Sequence, residues 1–394
     1  PDDWRAKWIG AGDLESVLLR REFDVLPGLR RAVLHVCGLG QHEVRLNGRK
    51  VGDHVLAPGW TRYDRTCLYE TFDVTSYLRE GANAIGILLG DGMYNVEGGR
   101  YAKFTGSFGD PMAIAHLMLE YNDGSREVVS TDEFWRAVPG PITFGDVYGG
   151  EDHDARLEQR DWDRPGFDDG AWLPAAVFEG PGGRLRGHSV SAPPVRFHET
   201  LEPQTVTDIT TGVRVYDFGR NVAIIPSIRV TGEAGAAVRI VPAELLGQDG
   251  RVDRSSTNHG NGDAWWQYTL AGDGTEAWTP RFFYHSARYL QVECLPTTPG
   301  ATLPIVQHIE ARTIHTDSEP IGRFSSSSEL YGLIEELVRN AQLSNMMSVL
   351  TDCPHRERLG WLEQTYLNGP SLRYAFDLTR LSNKIMHDMA DAQL

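Results

Sequence analysis

Short apolar runs separated by glycine- and asparagine-rich turns fill the chain up to about Ser325, and this pattern constrains the fold most. Residues 17–25 and 112–121 are two such runs, and each has the length of a strand rather than that of a long helix. Asn47-Gly48 is the strongest short-range signal for a β-hairpin, and residues 122–124 (Asn-Asp-Gly) give a second one. Because no helical period of useful length occurs in this part, the pattern predicts jelly-roll-like β-sandwiches.

The pattern changes after the four serines at residues 325–328. Apolar residues then follow the spacing of an amphipathic helix, and Ser327 or Ser328 can serve as its N-cap. Pro370 predicts the first turn of a second helix, and residues 382–394 predict a third. That third helix has no stop signal, so we expect the chain to be cut inside a helical domain. The apolar set of the first helix is Leu330, Leu333, Ile334, Leu337, Val338 and Ala341.

A glycine-rich stretch at residues 180–186, with prolines shortly after it, predicts a linker between two sandwiches. We therefore expect a first β-sandwich at residues 1–190, which is also a candidate carbohydrate-binding domain. A second β-sandwich is expected at residues 191–315, and a helical domain from residue 316 to residue 394.

The charge and the cysteine content exclude several functional classes. The formal net charge is −16, so phosphate backbones and anionic lipid surfaces would repel the chain, whereas neutral glycans remain open as partners. The four cysteines are far apart and form no metal-binding motif, and no secretory signal is visible, which favours a cytoplasmic location. We expect no cofactor, and the sequence leaves open a calcium ion on a sandwich loop.

Several segments resemble one known family in a single collinear order. Residues 44–52 (VRLNGRKVG) and 83–94 (NAIGILLGDGMY) look like the N-terminal sandwich of bacterial α-L-rhamnosidases, glycoside hydrolase family 78. Residues 215–221 (VYDFGRN) look like the second sandwich of that family, and residues 324–361 look like the start of its catalytic domain. The resemblance implies a mainly β chain, in which two jelly-roll-like β-sandwich domains precede the truncated start of an (α/α)6 barrel.

The stretch TDCPHRERLGWLEQ at residues 351–364 carries the chemistry that this resemblance implies. By position, Glu357 would be the general acid and Asp352 would bind sugar hydroxyls. Glycosidic cleavage needs a protonated carboxylic acid at the leaving oxygen and a carboxylate that activates water. Asp352 close to Glu357 would raise the pKa of Glu357, whereas Arg356 and Arg358 would lower it, and the sequence leaves the outcome open.

The remaining candidate substrate-binding residues are Arg356, His355, Trp361, Glu363 and Gln364. Trp361 would wall the sugar pocket, and Arg356 would lie beside the two acids. The stretch departs from the family where an amide, Gln364, replaces an acid, where a new acid stands at Glu363, and where an imidazole, His355, replaces a glutamine. An amide offers donors that a carboxylate lacks, so these changes put the substrate, and even the reaction, in question.

Three functions follow as hypotheses. The first is a glycoside hydrolase that removes terminal α-L-rhamnosyl residues from a glycan or glycoside with inversion. Its general base would lie downstream of this chain, so the chain alone would be inactive. The second is a lyase that cleaves rhamnosyl-glucuronate linkages by β-elimination, for which His355, Arg356 and Arg358 would suit. The third is a non-catalytic carbohydrate-binding module.

Aromatic residues in polar turns give further candidates outside the catalytic stretch. Trp265 and Trp266 suit stacking on sugar rings, although one of them can equally pack beneath its loop. Asp91, Tyr94 and Tyr101 suit either a glycan or calcium site or a role in shaping turns.

Overall fold

The structure, a computed structural model, describes residues 4–12, 14–188, 192–258 and 260–393. Strands dominate up to residue 316, and helices follow. The first seventeen strands are β1 Trp8–Gly10, β2 Ser16–Val25, β3 Leu29–Leu39, β4 Gln41–Leu46, β5 Arg49–Lys50, β6 Thr66–Asp73, β7 Gly81–Gly90, β8 Asn95–Val96, β9 Gly106–Ser107, β10 Met112–Tyr121, β11 Arg126–Ser130, β12 Arg136–Pro139, β13 Ile142–Asp146, β14 Gly150–Asp154, β15 Leu173–Pro174, β16 Ala176–Phe178 and β17 Arg184–Gly187.

The second series of strands leads into the helices. Its strands are β18 Val195–Leu201, β19 Thr205–Thr210, β20 Val213–Thr231, β21 Ala237–Ala243, β22 Leu245–Leu246, β23 Val252–Asp253, β24 Trp265–Thr269, β25 Thr275–Trp278, β26 His285–Leu295 and β27 Ile305–Thr316. The helices are α1 Ser255–Asn258, α2 Glu329–Ser344, α3 Leu362–Ala375 and α4 Thr379–Ala392, with 3-10 turns at Thr75–Tyr77 and Ala155–Leu157.

Two sheets form the first sandwich, as the sequence predicts. One has the order β16-β1-β10-β3-β6-β17 with β11 added at β10, and the other has the order β15-β12-β2-β7-β4-β5. Alternate side chains of these strands point inward and form one apolar core, because successive residues of a strand face opposite sides. Core members from both sheets include Leu19, Leu34, Val36, Ile87, Leu89, Leu117 and Leu119.

The predicted Asn-Gly hairpin is confirmed between β4 and β5. Asn47 has φ 51° and Gly48 has φ 82°, the pair of positive values that a type I′ turn requires. The Asn47 side chain also accepts from the Ala84 backbone N–H at 2.9 Å and so ties the turn to β7. The second predicted hairpin is confirmed too, because β10 pairs antiparallel with β11.

Strand β20, the longest strand, changes partners along its length. Its first part pairs with β19 and β26, and its last part pairs with β25 and β27. The register with β26 shifts between Asp217 and Val222, and such an irregularity lets a strand bend. Buried side chains from both parts of the strand, among them Tyr216, Phe218, Ile228 and Val230, share one core.

The boundary expected near residue 190 does not fully separate the strands of the first sandwich from those of the second. Strand β14 pairs parallel with β24, so β13 and β14 belong to the ten-stranded second sheet. Residues 184–187 of the predicted linker form strand β17 instead, which pairs parallel with β6. The first and second sandwiches are therefore joined by strand pairing, a long-range contact to which glycine content gives no clue.

The helices confirm the change of pattern after residue 325 and correct two details. Helix α2 begins after Ser328, but that serine's side chain makes no capping hydrogen bond. The apolar stripe of α2, including Leu330, Leu333 and Leu337, is exposed in the described structure rather than buried. Helix α3 begins at Leu362, so Pro370 lies inside it and not in its first turn.

None of the helices in the described ranges is long and apolar enough to cross a membrane.

Candidate active site

Residues 351–361 form a loop, the 351–361 loop, that closes on itself between α2 and α3. The Asp352 N–H donates to the Leu359 carbonyl at 3.0 Å, and the Leu359 N–H donates to Asp352 Oδ1 at 3.1 Å. The Glu357 N–H donates to Cys353 Sγ at 3.2 Å. These bonds place Asp352 and Glu357 on one turn of backbone.

The Glu357 carboxylate pairs with a cation that the sequence gave no reason to expect. Lys103 Nζ, from the loop between β8 and β9, lies 3.0 Å from Glu357 Oε1, and Arg356 Nε lies 3.9 Å from the same oxygen. The hydrogen bond from Lys103 is the main cause that lowers the pKa of Glu357, and hydrogen bonds with Trp361 and Asp352 add to it. The net direction is down, so the balance that the sequence left open falls to the groups that lower this pKa, with Lys103 first among them rather than Arg356 or Arg358.

His355 turns away from Glu357 and pairs with the second sandwich. Its Nε2 lies 3.3 Å from Glu244 Oε1, and its ring lies 6.2 Å from the ring of His285. Burial would raise the pKa of Glu244, but the hydrogen bond and charge of His355 outweigh burial and lower that pKa to about 2. The position of Glu244 just after β21 carries no local signal that links it to His355.

Arg358 anchors the 351–361 loop in the protein interior. Its guanidinium donates to the Val147 carbonyl and lies over the rings of Phe283 and Tyr284, at 4.9 and 4.6 Å from their centroids. Burial lowers the pKa of this guanidinium from its ordinary value. An arginine in this position fixes the loop and is not presented to a substrate, which removes one of the residues suggested for elimination chemistry.

Arg356 contributes its backbone as well as its charge. The Tyr101 hydroxyl lies 3.1 Å from the Arg356 carbonyl oxygen and 3.1 Å from that of Thr257. The Pro354 carbonyl accepts from the Ser286 N–H at 3.2 Å. The 351–361 loop is thus held by both sandwiches, which fixes its side chains before any ligand arrives.

The last three candidates lie where the loop enters α3. Trp361 is the N-terminal flanking residue of α3 and is 48% exposed, so its ring is available to a ligand. Glu363 is exposed in the first turn of the helix. Gln364 Oε1 accepts from Asn368 Nδ2 at 2.9 Å, one turn further along. Substrate binding by these three side chains stays a prediction.

The aromatic candidates outside the loop are structural. Trp266 is buried in the second core and donates from its indole to the Phe283 carbonyl at 3.0 Å. Trp265 lies against the guanidinium groups of Arg100 and Arg239, at 3.9 and 4.3 Å from its ring centroid. The prediction that Trp266 stacks on a sugar ring is therefore wrong, because this side chain is buried. The ring of Trp265 already lies against two guanidinium groups.

The group suggested as a glycan or calcium site in the first sandwich is buried as well. Tyr94 and Tyr101 are almost fully buried, and Asp91 is buried beside Asn95, which donates to it at 3.2 Å. Burial raises the pKa of Asp91 to about 8, with smaller contributions from nearby acids. The two tyrosines are thus too buried to face a glycan, and calcium binding at Asp91 stays a prediction.

One cluster of possible metal ligands lies on the second sandwich, among the residues that the structure describes. Glu202, His308 and Glu310 bring a ligand atom each to within 4.8 Å of one another. The His308 Nε2 is already paired with Glu310 Oε2 at 3.4 Å. The cluster offers two carboxylates and an imidazole, and it lies outside the 351–361 loop.

An apolar cavity of about 610 Å³ borders the 351–361 loop. Gly360 and Leu362 line it from the loop and α3, and Trp60, Phe104 and Phe108 line it from the first sandwich. A cavity of this size and character suits the apolar part of a small ligand. A larger cleft of about 770 Å³ lies between the two sandwiches and is lined by charged residues, including Glu43, Arg229 and Arg281.

Three family descriptions match consecutive stretches of the chain. The alpha-L-rhamnosidase N-terminal domain matches residues 28–199, and the bacterial alpha-L-rhamnosidase concanavalin-like domain matches residues 207–315. The bacterial alpha-L-rhamnosidase 6 hairpin glycosidase domain matches residues 319–394. Together these matches cover nearly the whole chain in the order of the three structural parts.

Curated relatives are similar along almost the full chain but are much longer. An alpha-L-rhamnosidase of Streptomyces avermitilis is 36% identical over 388 residues, which are 95% of this chain and 36% of the relative. One of Formosa agariphila is 32% identical over 382 residues, 95% of this chain and 39% of the relative. The chain thus spans well under half the length of these relatives.

Solved structures show the same architecture. The alpha-L-rhamnosidase from Dictyoglumus thermophilum matches with a TM-score of 0.90 at 34% identity, over 100% of this chain and 45% of that one. The alpha-L-rhamnosidase of Streptomyces avermitilis, complexed with L-rhamnose, matches with a TM-score of 0.88 at 34% identity, over 96% of this chain and 36% of that one.

Proposed function

Because the chain belongs to the bacterial α-L-rhamnosidase family, we propose that the protein is a glycoside hydrolase that removes terminal α-L-rhamnosyl residues with inversion. The observation that carries the proposal is the 351–361 loop, which brings Asp352, Glu357 and Trp361 together at the start of the six-hairpin domain. Its substrate would be a rhamnose-containing glycan or glycoside. The relatives that match 95% of the chain are named alpha-L-rhamnosidases.

In this proposal Glu357 donates a proton to the leaving oxygen, and Asp352 accepts hydrogen bonds from sugar hydroxyls. Trp361 supplies a ring face against which the apolar side of a sugar can pack. Inversion also needs a general base that activates water on the opposite face of the sugar ring. We assign that base to no residue of this chain.

Two other hypotheses fit the geometry less well. Elimination from a rhamnosyl-glucuronate needs a free base and a cation for the uronate carboxylate, yet His355 is paired with Glu244 and Arg358 is buried. A binding module without catalysis needs no closed loop that carries two acids on one turn. We therefore rank hydrolysis first, and the assay below separates all three.

The assay follows free rhamnose and the ultraviolet band of an unsaturated uronate in the full natural protein that contains this chain. One substrate is p-nitrophenyl α-L-rhamnoside, and the other is a rhamnose-capped glucuronate glycan. We expect free rhamnose without the ultraviolet band. The band would establish the lyase, and affinity for the glycan without either product would establish the binding module.

Glu357→Gln should reduce kcat by about 10²- to 10⁴-fold, the usual contribution of general acid–base catalysis. The loss should be larger on the glycan than on the p-nitrophenyl substrate, because p-nitrophenolate leaves with little help from an acid. Glu133→Gln, which removes an exposed acid of the first sandwich, is the control and should leave kcat unchanged. Unchanged turnover in Glu357→Gln would falsify the assignment of the acid.

A further inference from the structure

The loop between β8 and β9, residues 97–105, extends from the first sandwich to the 351–361 loop. There its Lys103 side chain contacts Glu357. The Lys103 ammonium lies 3.0 Å from Glu357 Oε1, and the two side chains are 32% and 19% exposed. We propose that Lys103 is a positioning residue that holds the Glu357 carboxylate in place by a direct ion pair from the first sandwich. This inference rests on the proposed role of Glu357 as the general acid.

The β8–β9 loop is fixed on the side that precedes Lys103. Arg100 donates to both carboxylate oxygens of Asp152, at 3.0 and 2.6 Å. The same guanidinium lies 3.9 Å from the ring centroids of Phe144 and Trp265. A bidentate pair between two aromatic rings restricts the guanidinium to one orientation, so the backbone at Arg100 is held firmly.

Tyr101 fixes the next residue of the loop and links it to the 351–361 loop directly. Its ring is buried and lies 6.0 Å from the ring of Tyr148 at an interplanar angle of 21°. Its hydroxyl lies 3.1 Å from the Arg356 carbonyl oxygen, and the Ala102 N–H donates to the Asn261 carbonyl at 3.0 Å. The backbone just before Lys103 is therefore held by the 351–361 loop on one side and by the second sandwich on the other.

The charges around Glu357 show why this lysine matters. Lys103 faces Glu357 from the first sandwich, and Arg356, Asp352 and Cys353 face it from its own loop. Lys103 is the nearest cation, and its hydrogen bond is the largest cause of the lowered pKa of Glu357. The pair thus opposes the protonation that a general acid needs, so Lys103 sets the pH at which Glu357 carries its proton.

The test is a ¹³C NMR titration of the glutamate carboxyl groups in this chain, with Glu357→Gln used to identify the resonance of Glu357. In Lys103→Met, which keeps the length of the side chain and removes the charge, we expect the Glu357 midpoint to move to higher pH. In Lys103→Arg the midpoint should stay near that of the unmodified chain, because the charge is retained. A purely structural role for Lys103 would not produce this contrast.

Lys7→Met is the matched control, because Lys7 pairs with Glu133 at 2.8 Å on the surface of the first sandwich. It should leave the Glu357 midpoint unchanged. A Glu357 midpoint in Lys103→Met that coincides with that of the unmodified chain, with equal thermal unfolding, would overturn the inference.

The two proposals fail separately. Full turnover in Glu357→Gln would refute the assignment of Glu357 as the general acid, whatever Lys103 does. An unchanged Glu357 midpoint in Lys103→Met would refute only the role of Lys103.

Discussion

At the scale of single residues, the candidate site depends on which partner each ionisable side chain meets. Glu357 meets Lys103, His355 meets Glu244, and each pairing joins the 351–361 loop to a different sandwich. The same reasoning applies to a carboxyl group away from the site. Asp91 meets the amide of Asn95 and no described cation, so burial dominates its titration.

Asp91→Asn should make the stability of the protein less dependent on pH. The raised pKa of Asp91, about 8, means that the folded state holds this proton while the unfolded state, with a carboxyl pKa of about 3.9, releases it. The contribution of Asp91 to the free energy of unfolding is therefore fully present below about pH 4, and it is lost as the pH rises towards 8. Asparagine resembles the protonated acid and cannot ionise, so the loss between pH 5 and pH 8 should shrink by at least about 1 kcal/mol.

Thermal unfolding of both proteins at pH 5, 6, 7 and 8 measures this effect. Asp123→Asn is the control, because hydrogen bonds from Ser125 lower the pKa of Asp123 and keep it ionised throughout this range. Parallel curves for Asp91→Asn and the unmodified protein would show that Asp91 titrates normally.

At the scale of elements, α2 and α3 differ in what they bury. Helix α2 contacts the second sandwich at its C-terminal end, where Ser344 Oγ accepts from the Ala223 N–H at 3.0 Å. Its apolar stripe is exposed in the described structure, whereas Leu372 of α3 is buried in a cluster with Met346, Phe376 and Leu381. Helical periodicity predicts burial of the α2 stripe, and it does not show whether that stripe has a partner.

Leu337→Lys should change the free energy of unfolding by less than about 0.5 kcal/mol, because this side chain is 71% exposed. Leu372→Ala should cost about 2–5 kcal/mol, because Leu372 is 1% exposed and leaves a cavity. Urea unfolding compares the two variants, and size-exclusion chromatography at several concentrations tests self-association. A large loss in Leu337→Lys would mean that the stripe is covered in solution.

At the scale of the whole molecule, strand pairing unites the two sandwiches. Strand β14 pairs with β24 over five residue pairs, from Gly150 with Trp265 to Asp154 with Thr269. The Glu151 carboxylate next to this edge accepts from the backbone N–H groups of Arg281 and Phe282, at 2.7 to 3.0 Å. The second sandwich is thus completed by residues that lie 115 positions before their partners in β24, as Gly150 does before Trp265.

A fragment of residues 192–316 should therefore be unstable by itself, because it lacks β13 and β14 and exposes the edge of β24. We expect it to aggregate or to unfold at a lower temperature than a fragment of residues 4–316, which keeps both strands. Circular dichroism during heating provides the comparison. Equal midpoints for the two fragments would show that the second sandwich folds without β14.

The sequence by itself determined the class of each region and the place of the candidate loop. Strand and helix periods are local patterns, so the sandwiches, both hairpin turns and the three C-terminal helices could be predicted from neighbouring residues. The resemblance at residues 351–364 likewise located Asp352 and Glu357, because a loop motif is contiguous in the chain.

The tertiary structure alone decided the partners. Tyr101 reaches Arg356 across 255 residues, and Lys103 follows two positions later to meet Glu357. The burial of Arg358 against Val147 and the pairing of β14 with β24 of the second sandwich are likewise contacts between distant segments. Such contacts depend on how whole sheets pack, and a local sequence pattern does not specify which distant surface will lie against it. The protonation state of Glu357 is for this reason a property of the fold.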